Sequence, residues 1–249
     1  MDRNANVGGV IADLQTETDA ERQLTQKQAL AILAGADLHG SQDGIDWFSA
    51  QALALRPELV VFLGDFVNSG DLDFVREVLR DLRESAPHCY VIPGNWDPRD
   101  ALPLIDKEAF DGLRHLHKTN AALGGYIFAG LGGSTPTPVK TTPLEMPDDV
   151  LAGPLPELQP ADIWLLHQPL KGHRDRVASG AHVGSDELKR VYREQDEPPL
   201  LVLSGHIHEA RGFENNGPTT FVNPGSLKDK HAAWLNLAGG QVEVELLEG

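Results

Sequence analysis

Five short apolar runs, each stopped by turn residues or a polar side chain, organise this chain: ALAILAGA at 29–36, ELVVFLG at 58–64, HCYVIPG at 88–94, DIWLLH at 162–167 and PLLVLSG at 199–205. Runs this short, bounded by such signals, read as strands buried in an α/β sheet. Between and after the first three the apolar spacing turns helical, over roughly 44–55, 71–84 and 99–110. Leu72, Val75, Leu79 and Leu82 mark one face of the second of these. Strand and helix in alternation imply parallel strands joined by right-handed crossovers. Asp97-Pro98 reads as a helix N-cap followed by proline at the first helical position.

Past Leu113 the texture changes. Short strands follow one another (LRHLH, GYIFAGLGG), then a loop rich in Pro and Thr, STPTPVKTTPLEMP, and later a helix near 185–194. The C-terminal stretch is strand-rich: a turn at Asn216-Gly217, then TTFVN, HAAWLNL and QVEVELL, the last alternating with period two. The expected fold class is α/β: a four-layer αββα sandwich in which two mixed β-sheets pack face to face with helices outside. The expected organisation is one domain over 28–249, preceded by a polar, flexible tail over 1–27.

Composition agrees with this and narrows it. A chain of 249 residues with 41% hydrophobic content suits one large domain with a real core. The apolar runs cover about half of the roughly 20 residues that a membrane helix needs. The N-terminus lacks the basic start and apolar stretch of a secretory leader. Cys89 is the single cysteine, so no intramolecular disulfide forms, which fits a reducing cytoplasm as the expected location. A net charge of −16 repels polyanions at long range and counts against a protein that tracks along nucleic acid. Strand-rich edges allow a homodimer without demanding one.

The chemistry lies where the runs end. Asp37 and His39 follow the first run, Asp65 the second and Asn95 the third; His167 closes the fourth, and His206 and His208 follow the fifth. Polar groups gathered at the carboxyl edge of such a sheet make a ligand site, and the Asp, Asn and His content makes that ligand a metal. Asp37 and His39, two apart, leave one face of an extended strand and can share an ion. Asp65 brings two carboxylate oxygens with which to bridge two cations. Asn95 brings a neutral carbonyl oxygen, and His206 and His208 repeat the two-residue spacing with nitrogens.

The ordered series Asp37-Leu38-His39, Gly64-Asp65, Gly94-Asn95, His167 and Gly205-His206-Ile207-His208 resembles the signature of the calcineurin-like metallophosphoesterase superfamily. The likeness runs from about Ala31 to Gly225 and is highly specific. It implies a first metal held by Asp37, His39, Asp65 and His208, and a second held by Asp65, Asn95, His167 and His206, with Asp65 bridging. The stretch HQPLKGHRDRVASGAHVGSDEL resembles a microbial branch carrying Gly-x-His-x-Gly-Ser after the lone histidine, and VNPGS at 222–226 also recurs in the superfamily. Members of this kind are mostly phosphodiesterases or phosphatases.

One position departs from the pattern. Where the family usually has a histidine that assists the leaving group, this chain has Trp96, and indole cannot transfer a proton near neutral pH. Some phosphodiesterase branches also lack that histidine. His182 and His117 both resemble family positions. His182, in a Gly-rich loop, is the alternative proton donor and is counted with Asp65 and Asn95 among the catalytic candidates. His88, His115 and His231 read as structural, Asn68 as ordering its loop, and Lys171, Arg174 and Arg176 either as a solvated loop or as a steer for phosphate.

The resulting expectation is a hydrolase using two divalent metal ions per chain. Manganese is favoured over iron, zinc, cobalt or nickel, with mixed N/O ligation and no thiolate. Its partner is a small phosphodiester, with no membrane and no nucleic-acid role expected. A phosphomonoesterase, a nuclease and a non-catalytic interaction module of the same fold are the alternatives.

Overall fold

The computed structural model describes residues 27–68, 70–108, 112–137 and 142–249. The tail expected over 1–27 lies outside these residues except for Lys27, as do the end of the third expected helix and part of the Pro/Thr-rich loop. In chain order the elements are β1 (Leu30–Gly35), α1 (Gln42–Leu55), β2 (Leu59–Phe62), α2 (Leu72–Ser85), β3 (His88–Val91) and α3 (Ala101–Glu108). These lead to β4 (Leu113–His115), β5 (Thr119–Leu123), β6 (Tyr126–Leu131), α4 (Asp148–Ala152), β7 (Ile163–Leu166) and α5 (Asp186–Arg193). The chain closes with β8 (Leu201–Ser204), β9 (Gly212–Asn216), β10 (Thr219–Asn223), β11 (His231–Ala238) and β12 (Gln241–Glu248).

Two six-stranded sheets form, in the orders β12-β11-β1-β2-β3-β4 and β5-β6-β7-β8-β10-β9. In each, four parallel strands are flanked by antiparallel ones: β11 and β12 on the first sheet, β5 at one edge and β9 at the other of the second. Period-two alternation sorts the strand residues into layers. Ile32, Val61, Ile92, Phe128, Leu165 and Leu203 point between the sheets into one continuous core. Leu33, Val60 and Val91 face the other way, onto Phe48, Val78 and Ile105 of α1, α2 and α3. Trp164, Val202 and Phe221 likewise face Leu151, Leu188 and Val191 of α4 and α5. The four-layer αββα sandwich expected from the sequence is the observed fold.

The helix starts follow local chemistry. The Ser41, Asp71 and Ser185 side chains accept from the N–H groups of Gly44, Phe74 and Leu188, capping α1, α2 and α5. The third helix corrects the sequence reading. It begins at Ala101, and Asp97 does not cap it. The Asp97 carboxylate is fully buried and instead accepts from the backbone N–H groups of Asp65, Phe66 and Gly94. Those donors would otherwise be orphaned inside the protein, a greater cost than a fraying helix end. Strands β5 and β9 and the short helix α4 carried no clear signal in the sequence.

Candidate metal centre

All the candidate ligands converge at the carboxyl edges of the two sheets, just beyond β1, β2, β3, β7 and β8. Two clusters form there: Asp37, His39 and His208 in one, Asp65, His167 and His206 in the other, with ligand atoms in each lying within 4.8 Å of one another. Each trio falls within one of the two four-residue sets that the family resemblance implies. Asn95 joins the second cluster, its Oδ1 lying 2.9 Å from His167 Nε2.

The means of convergence differs from the simple strand argument. Asp37, His39, Asp65 and His206 all have positive φ, between 51° and 67°. Non-glycine residues adopt this left-handed region at a cost, and such strain gathers at functional sites. Asp37 and His39 therefore meet through two backbone kinks past the end of β1, not through strand periodicity. The kinked loops hold one another: Asp37 N–H donates to the Gly64 carbonyl, and His39 N–H to the Asp65 carbonyl, each at 2.9 Å. The Asn68 side chain donates to the His39 carbonyl, ordering that loop as expected.

Two glycines make the close approach possible. A Cβ on Gly64 would lie 2.1 Å from Gly94 N, and one on Gly94 would lie 2.0 Å from Asp65 Oδ1. Asp97 ties the same two loops together from below. The VNPGS segment performs a similar task for the first and last motifs. Asn223 donates to the Ile207 carbonyl between the two histidines, and Ser226 Oγ donates to the Asp37 carbonyl, both at 2.9 Å.

The donor set suits cations. His167 Nδ1 lies 2.7 Å from the Leu63 carbonyl, which fixes that nitrogen as the N–H donor. Its Nε2 then faces Asn95 Oδ1 and, at 3.5 Å, Asp65 Oδ2. Asn95 is oriented by donating its amide N–H to Thr142 Oγ1, so its oxygen has to face inward. Three lone-pair-bearing atoms thus converge, and they need either a proton or a metal between them. In the other cluster, the Nε2 atoms of His39 and His208 approach to 3.3 Å, and the buried Asp37 Oδ1 has no hydrogen-bond partner among the described residues. Asp37 Oδ2 is engaged by the His206 N–H, which leaves Oδ1 directed at His208.

Asp65 stands between the clusters, and its two oxygens have different neighbours. Oδ1 accepts from the Trp96 backbone N–H at 2.8 Å. Oδ2 lies 3.8 Å from His39 Nε2 and 3.5 Å from His167 Nε2, so it is the atom common to both clusters. These neighbours set the protonation of the site's side chains. Burial works to raise the Asp37 carboxyl, yet the His208 contact and the nearby imidazoles hold it at about 2. Burial opposes charge on His167, but Asp65 and Asp37 hold its imidazolium up to about 9. Burial, reinforced by His167, pushes His206 down to about 4 and keeps it neutral, ready to ligate. Burial and the Asp65 charge raise the Asp97 carboxyl above the usual range.

The remaining predicted residues are spread around this centre. The Trp96 ring meets His39 edge to face, with centroids 6.4 Å apart. His182 stands on the loop after His167 and contacts Asp175. His117 accepts the Gly132 N–H. Lys171 pairs with Asp186, and Arg174 donates to the carbonyls of Ala210 and Arg211. Sequence reasoning missed Asp97, Asp175 and Thr142 as positioning groups. None has a spacing signal, because each acts on backbone or side chains far away in the chain. A cleft of about 740 Å³, lined by Asp46, Arg56, Asp81 and Glu84 among others, contains none of the metal-site residues.

Known proteins share both the sequence pattern and the fold. The profile of the calcineurin-like phosphoesterase family matches residues 30–210. An uncharacterized protein of Methanocaldococcus jannaschii, MJ1162, is 26% identical over 175 residues, covering 67% of this chain and 77% of its own. Among solved structures, TT1561 of Thermus thermophilus aligns with a TM-score of 0.67 at 22% identity, over 88% of this chain and 99% of its own. An archaeal phosphodiesterase aligns with a TM-score of 0.50 at 16% identity, over 88% of this chain and 100% of its own.

Proposed function

This chain belongs to the calcineurin-like phosphoesterase family and is a hydrolase of phosphate esters, and we propose that it is a two-metal phosphodiesterase acting on a small diester. The observation that carries the proposal is the pair of three-residue clusters meeting at Asp65 Oδ2. Asp37, His39, Asp65 and His208 would hold one divalent ion, and Asp65, Asn95, His167 and His206 the other. Manganese is the favoured metal, with iron, zinc, cobalt or nickel compatible with the same N/O donors. Such a pair supplies a water of lowered pKa and neutralises charge on the phosphoryl oxygens.

The chain's own residues account for the rest. Asp97, Gly64 and Gly94 fix the position of Asp65, and Leu63 and Thr142 fix the direction of His167 and Asn95. The left-handed kinks hold ligands in place before anything binds, so little reorganisation is left for the reaction itself. A diester is favoured over a monoester by charge. A monoester dianion asks for further cations, whereas Lys171 and Arg174, which follow His167 in the chain, are already engaged by Asp186 and by backbone carbonyls. Net charge of −16 likewise argues against a polynucleotide substrate. One buried cysteine, Cys89, asks for no oxidising compartment, and the cytoplasm is the location proposed. No helix among the described residues is long and apolar enough to cross a membrane.

The test is a side-by-side assay of manganese-reconstituted protein on bis(4-nitrophenyl) phosphate, 4-nitrophenyl phosphate and single-stranded DNA. The diester should be turned over fastest. Preference for the monoester would replace the diester reading with a phosphatase, and cleavage of DNA alone would make the protein a nuclease.

A further inference from the structure

Gly-x-His-x-Gly-Ser, here Gly180 to Ser185, has two structural jobs and one residue left over. Gly184 is required because a Cβ there would lie 2.6 Å from the Leu170 carbonyl carbon. Ser185 caps α5 with its hydroxyl. His182 does neither. Its Nδ1 lies 2.5 Å from Asp175 Oδ1, and Asp175 is 1% exposed while the histidine side chain is 36% exposed. The other Asp175 oxygen accepts the N–H groups of Gly172 and Gly184. The carboxylate is therefore fixed, and it holds the ring through Nδ1.

The loop that carries both residues is tied to the segments that follow two of the candidate ligands, His167 and His208. Residues 175–177 and 181–183 form a small hairpin, closed by Val177 N–H to the Ala181 carbonyl and Val183 N–H to the Asp175 carbonyl. One end is fastened through Gln168, the residue after His167, whose side chain donates to the Val183 carbonyl. Arg174 fastens the other end, donating to the carbonyls of Ala210 and Arg211 just past His208. A cavity of about 340 Å³ lies here, lined by His182, Asp175 and Arg176 from the hairpin and by Glu209 and Ala210 from the segment following His208. His208 is itself 38% exposed, so its cluster is open on one side. Hairpin and cavity thus adjoin the segments that carry ligands of both clusters.

Resting on the two-metal reading above, we propose that the cavity receives the leaving group and that His182, oriented by Asp175, is its proton donor. As the bond from hydroxide oxygen to phosphorus forms, the bond from phosphorus to the leaving oxygen breaks. The His182 imidazolium gives its Nε2 proton to that oxygen, releasing an alcohol, and is reprotonated from solvent. The Asp175 carboxylate accepts Nδ1–H throughout and stabilises the cationic ring. This supplies the function that Trp96 cannot, from the opposite side of the sequence.

The test uses manganese-reconstituted protein with metal content checked in every variant. His182→Gln keeps a hydrogen-bond donor but has no transferable proton. It should slow alkyl diesters by about 10²–10⁴-fold and change bis(4-nitrophenyl) phosphate turnover little. Asp175→Asn, by weakening the contact that orients the ring, should slow alkyl diesters more than bis(4-nitrophenyl) phosphate. Separately from turnover, His182→Ala should weaken binding of inorganic phosphate about 10–100-fold, as expected for a lost charged hydrogen bond. Equal slowing of both diesters, or no slowing, with phosphate affinity unchanged would overturn the assignment while leaving the phosphodiesterase reading intact. A wild-type protein that carries its metals yet neither hydrolyses a phosphoester nor binds phosphate would overturn both.

Discussion

Gly94→Ala adds a single methyl group at the point where the two central loops touch. The new Cβ would sit 2.0 Å from Asp65 Oδ1 and 2.2 Å from Asp65 N, so Asp65 must retreat by about 1 Å to reach even the closest contact seen for real Cβ atoms. Retreat is resisted from below by Asp97, which binds the N–H groups of both Asp65 and Gly94. It also strains the Trp96 N–H bond to Asp65 Oδ1. Metal sites tolerate ligand shifts of about 0.2 Å, and a misplacement of about 1 Å can cost about 10²-fold in rate. Because Asp65 Oδ2 serves both clusters, the two should weaken together. Overpacking of this kind costs about 1–3 kcal/mol of stability. The assay is metal content per chain after manganese reconstitution and desalting, with thermal melts of the metal-free protein run in parallel. Gly70→Ala is the control, since a Cβ there would meet nothing within 4 Å among the described residues beyond its chain neighbours. Two metals bound to Gly94→Ala with wild-type affinity would show that the loop contact does not position Asp65.

Three further outcomes follow from named contacts. Asp97→Asn turns an N–H of its own toward backbone donors, so metal affinity should fall about 10–100-fold with about 1–3 kcal/mol of stability; wild-type metal titrations would remove Asp97 as a positioning residue. His167 carries a proton up to about pH 9 in the metal-free protein, so metal uptake near pH 7.5 must release it. Calorimetry in buffers of differing ionisation enthalpy should register at least about one proton released, with apparent affinity rising as pH rises toward 9, and no release would contradict the His167 assignment. His117, pushed to about 4 by burial, then by Lys118 and His115, accepts the Gly132 N–H only while neutral. Its folded pKa lies below its unfolded one, so its contribution is fully present above pH 6.5 and is lost as pH falls toward 4. At about 1.4 kcal/mol per unit, denaturant melts should show wild type losing about 2–3 kcal/mol more than His117→Asn between pH 7 and 4.5, and parallel losses would refute the claim.

Much of this was legible in the sequence for a physical reason. Buried parallel strands need uninterrupted apolar runs, and a site at their carboxyl ends must place its ligands directly after those runs. Asp65 after VVFLG and His167 after DIWLL could therefore be found by reading along the chain. What could not be read is what acts across it. Asp97 sits before a proline in good capping context, and nothing local discloses that its carboxylate binds N–H groups about 30 residues away. The left-handed kinks at Asp37 and His39 were also hidden, because both residue types serve equally well at an extended strand end. His182 stood out only as a motif histidine, and its partner Asp175 became visible only once the hairpin closed.

The most direct measurement is the rate of bis(4-nitrophenyl) phosphate hydrolysis as manganese is added to metal-free protein held well above its metal Kd. Wild type should reach full activity at two equivalents per chain. Asp65→Asn, lacking the charge shared by both clusters, should stay at least ~10³-fold lower at every ratio, losing most of the metal-derived acceleration. Full activity at one equivalent, activity without metal, or an Asp65→Asn variant that titrates like wild type would contradict the two-metal account.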